Sequence, residues 1–362
     1  MVLILLATVL IAVIAFFQVT QGFYSAMIMA VVSVLSAAVA MAFYEPLAAL
    51  LRPHQPDAAD AIALLGIFIV LVVGLRLACD IFLKRNVVLG VWTNRLGGGV
   101  LGLVAGTTLV GVLAVAMQML PWGPSVLGYR PFDDSLRRSG RLYLFAPDDF
   151  VVGTIKAVSP SLTGASSRRF AAVHDDLLLE LFCARNTAGK NGRTDAKANA
   201  LSVENFYLPE QASWAENVPL DPRLGDQVTK LLVVHATVNR SAADTDGWWR
   251  LPATHFRLVG ESGRSYYPLG YVGRSAAGAI EPVLAPSEEG ALQITQLIVE
   301  QQTGKEKNLS VDWVYRVLLR DDADGYDTPD TLIFRRASQA SVPKPAARMF
   351  EPTGGPPPPS LP

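Results

Sequence analysis

The chain has 362 residues, with Lys+Arg 31 against Asp+Glu 32 and a formal net charge of −1. That balance leaves no basic surplus for a nucleic-acid footprint. Hydrophobic residues make up 51% of the chain and mean hydropathy is +0.31, too apolar for an ordinary soluble protein, and the length suggests more than one domain.

The apolar residues are concentrated in the first third. Met1 to Tyr44 carries no charge, which is too long for one membrane span and enough for two. Val2 to Phe17 is the first apolar run, Gln18-Val-Thr-Gln-Gly22 a polar break, and Phe23 to Tyr44 the second run. The first run lacks a basic n-region, so it reads as a span and not as a cleaved leader. Glu45 to Asp60 reads as a loop, with Pro46, Pro53 and Pro56 ending helical structure. Ala61 to Leu83 is the third span; its Arg76 and Asp80 are four apart and share a helical face, an intramembrane ion pair or a pair reaching back to the interface.

Asn94 to Leu120 is the fourth span. After Arg95 it carries no charge, and Gly98, Gly102 and Gly106 recur at four-residue spacing, on one helix face. In lipid such a face lets a second backbone approach closely. Lys84, Arg85 and Arg95 outnumber Arg52 in the adjoining loop, which places the third-to-fourth loop in the cytoplasm and everything after the fourth span outside it.

Residues 1–122 resemble the colicin V production protein (CvpA) family. The resemblance rests on four closely spaced spans, on Gly22-Phe23 opening the second, on Phe43-Tyr44-Glu45-Pro46-Leu47, and on Asn94-Arg95-Leu96 leading into the glycine ladder. The chain departs from the family pattern at Gln18 to Gln21, where basic residues are usual, at Asn94, where an Asp is usual, and at Ala105. The resemblance implies an integral inner-membrane protein linked to colicin V production or export.

Beyond Pro121-Trp-Gly-Pro124 the chain becomes polar. Trp122 stands where an interfacial anchor is expected, and Arg137, Arg138 and Arg141 read as a solvated cluster. Asp148 or Asp149 is placed to cap a helix carrying Val151, Val152, Ile155 and Val158. A second helix is expected from about Ser166 to Cys183, with His174-Asp175-Asp176 as an exposed polar turn, followed by a loop from Thr187 to Lys197.

From Gly225 the periodicity becomes alternating. Strands are expected at Val228–Val238, Phe256–Val259, Ser265–Val272, Leu292–Val299, Leu309–Leu319 and Thr331–Arg335, with Trp313 in the core and Trp248-Trp249 in a loop packed over the sheet end. This fits a β-sandwich of immunoglobulin-like type, and Thr254 to Tyr267 is loosely similar to bacterial extracytoplasmic Ig-like domains. The expected organisation is a four-helix membrane domain at 1–122, a helical and loop connector at 123–222, the sandwich at 223–336, and a disordered Pro-rich tail at 337–362.

Catalytic signatures are weak. Gly260-Glu261-Ser262-Gly263 has the look of a serine-protease loop, but no histidine stands in a Thr-Ala-x-His context, and His255 is only seven residues away. Cys79 and Cys183 fall in different halves, so no disulfide is expected; Cys183 reads as a buried small hydrophobe. The four histidines, His54, His174, His235 and His255, lack metal-ligand spacing. No enzyme, cofactor or metal is expected. The reading is a membrane scaffold or assembly factor of the inner membrane, whose partners are the bilayer, membrane or envelope proteins, and further copies of itself. The alternatives are a transporter or channel component using Arg76 and Asp80, and a membrane-anchored serine protease.

Overall fold

In lipid a chain must satisfy its backbone internally, and a helix does so within one segment. The apolar third of this protein takes that course in four helices: α1 (Val2–Gln21), α2 (Phe23–Leu51), α3 (Ala59–Phe82) and α4 (Val91–Gln118), each long and apolar enough to cross a membrane. The computed structural model describes residues 2–343 apart from 56, 83–89, 143–145, 164–173, 175, 188–192, 210–213, 222, 226, 275–279 and 321–324. The basic residues Lys84 and Arg85, on which the orientation reading leans, lie outside the described residues. The chain divides into two units, Met1–Pro131 with Ser139–Val173, and Phe132–Arg138 with His174–Pro362.

In the membrane unit α4 packs against α1 and α2, and α2 packs against α3. Leu5, Phe16, Val31, Ile69 and Val70 are exposed on the outside of the unit, as side chains facing lipid would be. The α2 helix runs on through Pro46 to Leu51, where the sequence suggested a loop. Proline removes one helical hydrogen bond, but Tyr44 and Ala48 on either side of it are completely buried, and that packing holds the last turns. The loop to α3 is then short and closed by Arg52 and Asp60 at 3.0 Å.

A fifth helix, α5 (Pro147–Thr163), belongs to the membrane unit and packs on α4 and α2. It begins at Pro147, so Asp148 and Asp149, expected as its cap, lie inside its first turn. Val151, Val152 and Ile155 are buried, and Gly111 of α4 makes room for them: a Cβ there would overlap the Pro147 carbonyl and the Val151 side chain.

The second unit opens, among the described residues, with the helix α6 (Leu177–Arg185), capped by Asp176, whose carboxylate accepts from the Leu179 N–H at 3.2 Å. The helix begins later than its hydrophobic spacing suggested, because Asp176 takes the cap position; residues 164–173 of the expected helix lie outside the described residues. Antiparallel strands follow. One sheet has the order β1 (Leu201–Tyr207), β2 (Thr229–Asn239), β11 (Asn308–Leu318), β6 (Gly270–Arg274), β7 (Ile280–Leu284). Another has the order β13 (Ser338–Ser341), β12 (Pro329–Phe334), β4 (Phe256–Gly260), β5 (Ser265–Tyr266). Two ribbons complete the unit: β3 (Trp248–Pro252) with β10 (Ile298–Gln302), and β8 (Ser287–Glu288) with β9 (Ala291–Leu292).

The two larger sheets meet through aromatic rings. Phe256 of β4 lies 4.7 Å from Trp313 of β11 and 4.7 Å from Phe334 of β12, and all three are completely buried. On β2 the expected face, Leu232, Val234, Ala236 and Val238, is completely buried, but the other face is covered in part as well, with Val233 completely buried and Thr237 buried. Two strands, β1 and β13, lie outside the stretch 223–336 that the alternating pattern marked. They are tied together by Ser338, whose hydroxyl accepts from the Leu201 N–H at 2.9 Å and donates to the Ala198 carbonyl at 3.0 Å. The first residues of the expected tail therefore form an edge strand, and residues 344–362 lie outside the described residues.

Candidate functional site

In the membrane unit the residues singled out from sequence converge at the end of the bundle where α4 begins. The chain reverses from α1 to α2 at Gly22, whose φ of 91° is open to glycine at little cost. The first N–H groups of α2 need acceptors that the helix itself does not provide. Asn94 of α4 supplies one, its Oδ1 accepting from the Phe23 N–H at 2.7 Å. A Cβ on Gly22 would lie 2.7 Å from the Asn94 amide, and one on Gly97 would overlap the Phe23 ring. Gly22-Phe23 and Asn94, far apart in sequence, are thus one joint.

From that joint the glycine ladder runs along α1. A Cβ on Gly98 would stand 3.0 Å from the Gln18 carbonyl oxygen, one on Gly102 2.7 Å from Gln18 Cβ and 3.1 Å from Ala15 Cα, and one on Gly106 3.2 Å from the Ile11 carbonyl oxygen. All three glycines face the α1 backbone. Gly97 and Gly111, which the four-residue spacing leaves out, are as tightly placed, against α2 and α5. Their signal in the sequence was only glycine within an apolar run.

Arg76 and Asp80 sit at the same end. Arg76 Nε is 3.2 Å from Asp80 Oδ2, and its Nη2 donates to Ser25 Oγ at 3.0 Å and its Nη1 to the Ser25 carbonyl at 3.3 Å. Ser25 in turn donates to Gln21 Oε1 at 2.9 Å. The polar groups of α1, α2 and α3 are therefore linked in one chain, clustered at one level of the bundle. At the opposite end of α4, Asp148 is completely buried and accepts from Tyr129 Oη at 3.0 Å and Gln118 Nε2 at 3.2 Å.

Among the buried ionic groups of the β unit, two involve histidines noted in the sequence. Glu180 of α6 lies between His174 (Nδ1 to Oε2 2.6 Å) and Arg257 of β4. His174, expected on an exposed polar turn, is buried because it faces Glu180. Burial alone would raise the Glu180 carboxyl, but Arg257 and then His174 outweigh it and hold it below the ordinary carboxylate range. Behind it Cys183 is 1% exposed, and burial pushes its thiol up to about 12, the state of an unreactive core residue.

The second group is His235 on β2, directly opposite Asp312 on β11, with Nδ1 2.5 Å from Oδ1 and Nε2 3.7 Å from Glu204 of β1. The hydrogen bond to Asp312 outweighs partial burial and raises the imidazole above its usual value. A raised histidine contributes stability that is complete below its unfolded value, near 6.5, and is lost as pH rises through the folded value. His235→Gln is therefore expected to lower the melting temperature most at pH 6 and least at pH 9. A constant difference between the two proteins across that range would rule out the histidine as the origin.

The protease-like loop is a hairpin turn between β4 and β5. Ser262 donates from Oγ to Asp327 Oδ2 at 2.5 Å and from its N–H to Oδ1 at 3.0 Å, and Tyr266 Oη donates to Oδ2 at 2.7 Å. Its hydroxyl is thus held by a carboxylate that fixes the turn, while His255 is 3% exposed and accepts at Nδ1 from Arg335 Nε at 3.2 Å.

The family whose model matches this chain is described as colicin V production protein, and the match covers residues 2–139. Comparison with curated proteins and with solved structures finds no match. The matched stretch takes in all four long helices, the Gly22–Asn94 joint and the glycine face of α4. Residues 2–139, which hold four helices long and apolar enough to cross a membrane, are similar to the colicin V production protein (CvpA) family.

Proposed function

We propose that the protein is an inner-membrane scaffold or assembly factor, with its β unit on the extracytoplasmic side as a binding domain for membrane or envelope proteins. The observation that carries this reading is the contact between the α4 glycines and the α1 backbone. Helices that touch at this range form a fixed packed pair. Supporting it, Ser33 and Thr108 turn their hydroxyls back onto the Ala30 and Val104 carbonyls of their own helices, and Arg76 is tied to Ser25 and Asp80 at one level. A conducting path would instead place polar groups in series across several spans.

A photo-crosslinking residue at half-exposed Trp248 tests the reading in native membranes. Defined crosslinks to envelope proteins are expected, together with activity of a C-terminal reporter that works only outside the cytoplasm. Ion flux by the purified protein in liposomes, abolished by Arg76→Gln at unchanged protein level, would overturn it in favour of a transporter.

A further inference from the structure

The β unit contains a cavity of about 480 Å³ that none of the groups described above occupies. Arg137, Arg138, Arg223 and Arg264 line it, against one lining carboxylate, Asp176. These arginines come from three separate stretches of chain, and the same cavity has an apolar side formed by Leu136, Leu179 and Leu224.

Several of these groups are fixed in place before any ligand arrives. Arg223 is bonded to the completely buried Asp221, Nε to Oδ1 at 2.9 Å, and lies 5.0 Å over the Tyr267 ring. Arg138 lies 5.1 Å over the Phe132 ring. Arg264 donates to a neutral acceptor, Gln227 Oε1, at 3.4 Å. Arg137 faces Asp133 at 3.7 Å with both side chains exposed, a pairing worth little in water and readily exchanged. Asp176 is engaged with the Leu179 N–H. Planar guanidinium forks match the oxygens of phosphate and carboxylate groups. Converging arginines favour a group that presents oxygens in several directions and carries more than one charge, and the leucines provide room for an organic substituent.

We infer that this arginine-lined cavity is a binding site for a phosphate ester, a function separate from the scaffold role of the membrane unit. The shared chemistry is the phosphate group, carried by a soluble ester or by a lipid headgroup. The test uses the full chain in a maltoside detergent at low salt. Calorimetric titrations with glycerol 3-phosphate and with a short-chain phosphatidic acid form the two arms. The double variant Arg137→Gln/Arg264→Gln is expected to weaken binding at least tenfold with an unchanged melting temperature, and Arg141→Gln, which removes an arginine outside the cavity lining, is expected to change nothing. Loss confined to the glycerol 3-phosphate arm assigns a soluble ester; loss confined to the lipid arm assigns a headgroup. Binding in neither arm, binding indifferent to the double variant, or equal competition by succinate would each overturn the assignment.

Discussion

Gly102→Leu is expected to reduce the amount of folded protein in the membrane severalfold. Even a single methyl at this position would sit 2.7 Å from Gln18 Cβ, closer than real contacts allow, and 3.1 Å from the Ala15 backbone, tighter than most of them. Overpacking usually costs roughly 1–3 kcal/mol, and here the atoms that must move belong to a helix backbone, so the upper part of that range applies. Gly102→Ala should be intermediate. The control is Gly66→Leu in α3, where a Cβ meets nothing within 4 Å. Both leucine variants gain the same helix propensity, about 1 kcal/mol over glycine, so any deficit at Gly102 relative to Gly66 is packing. Membrane abundance by quantitative immunoblot and elution volume in detergent are the measurements; equal behaviour of the two variants would remove the glycine face as a structural contact.

The membrane unit was legible because its signals are one-dimensional. Absence of charge over Met1 to Tyr44 and a four-residue glycine period are properties of the string, and lipid leaves few ways to satisfy them. What the string could not show is which helix the glycines face, since that depends on how α1 and α4 cross. The same holds for Asn94: it stands where an Asp is usual in the family, yet its task, accepting from Phe23 N–H, becomes visible only once the turn at Gly22 is placed beside it.

In the β unit β2, β4, β11 and β12 lie within two residues of their expected ranges, whereas Leu292–Val299, expected as one strand, is the end of β9, a 3-10 turn at Ile294–Gln296 and the start of β10. The errors have separate causes. Ser265 to Val272 is one alternating run, but Pro268 has no N–H to give a ladder. The chain therefore leaves one sheet after Tyr266 and enters the other at Gly270, where Leu269 N–H donates to the Val314 carbonyl at 2.8 Å. Trp248-Trp249 was placed in a loop because Asp244-Thr-Asp-Gly247 is a turn. The turn is there, with Gly247 N–H donating to the Asp244 carbonyl at 3.1 Å, but it delivers the tryptophans into β3, where Trp249 is completely buried. The arginines at 137 and 138 read as a solvated cluster. They line a cavity only because Arg223 and Arg264, distant in sequence, come to the same place.

Glu180→Gln should destabilise the β unit by about 3–5 kcal/mol, the usual cost of leaving a buried partner uncompensated. The side chains of His174, Glu180 and Arg257 are 8%, 7% and 9% exposed, so water cannot replace the missing charge around Arg257. Buried Trp249 and Trp313 both lie in this unit, and their fluorescence reports its unfolding. At about 2–4 °C per kcal/mol for a unit of this size, the midpoint should fall by roughly 6–20 °C. Glu180→Met/Arg257→Met, which removes the pair together, should recover part of that loss, since an apolar replacement leaves no orphaned charge. The pH dependence has a fixed sign. A depressed carboxylate contributes stability above its unfolded value, near 4.5, and loses it as pH falls through the folded one. The difference between the native protein and Glu180→Gln should therefore be constant at neutral pH and shrink only below about pH 4, with Arg257, His174 and Arg336 as the cations that set it. A double variant less stable than either single change would show that the group packs by shape, and that its charges are not what holds α6 to β4.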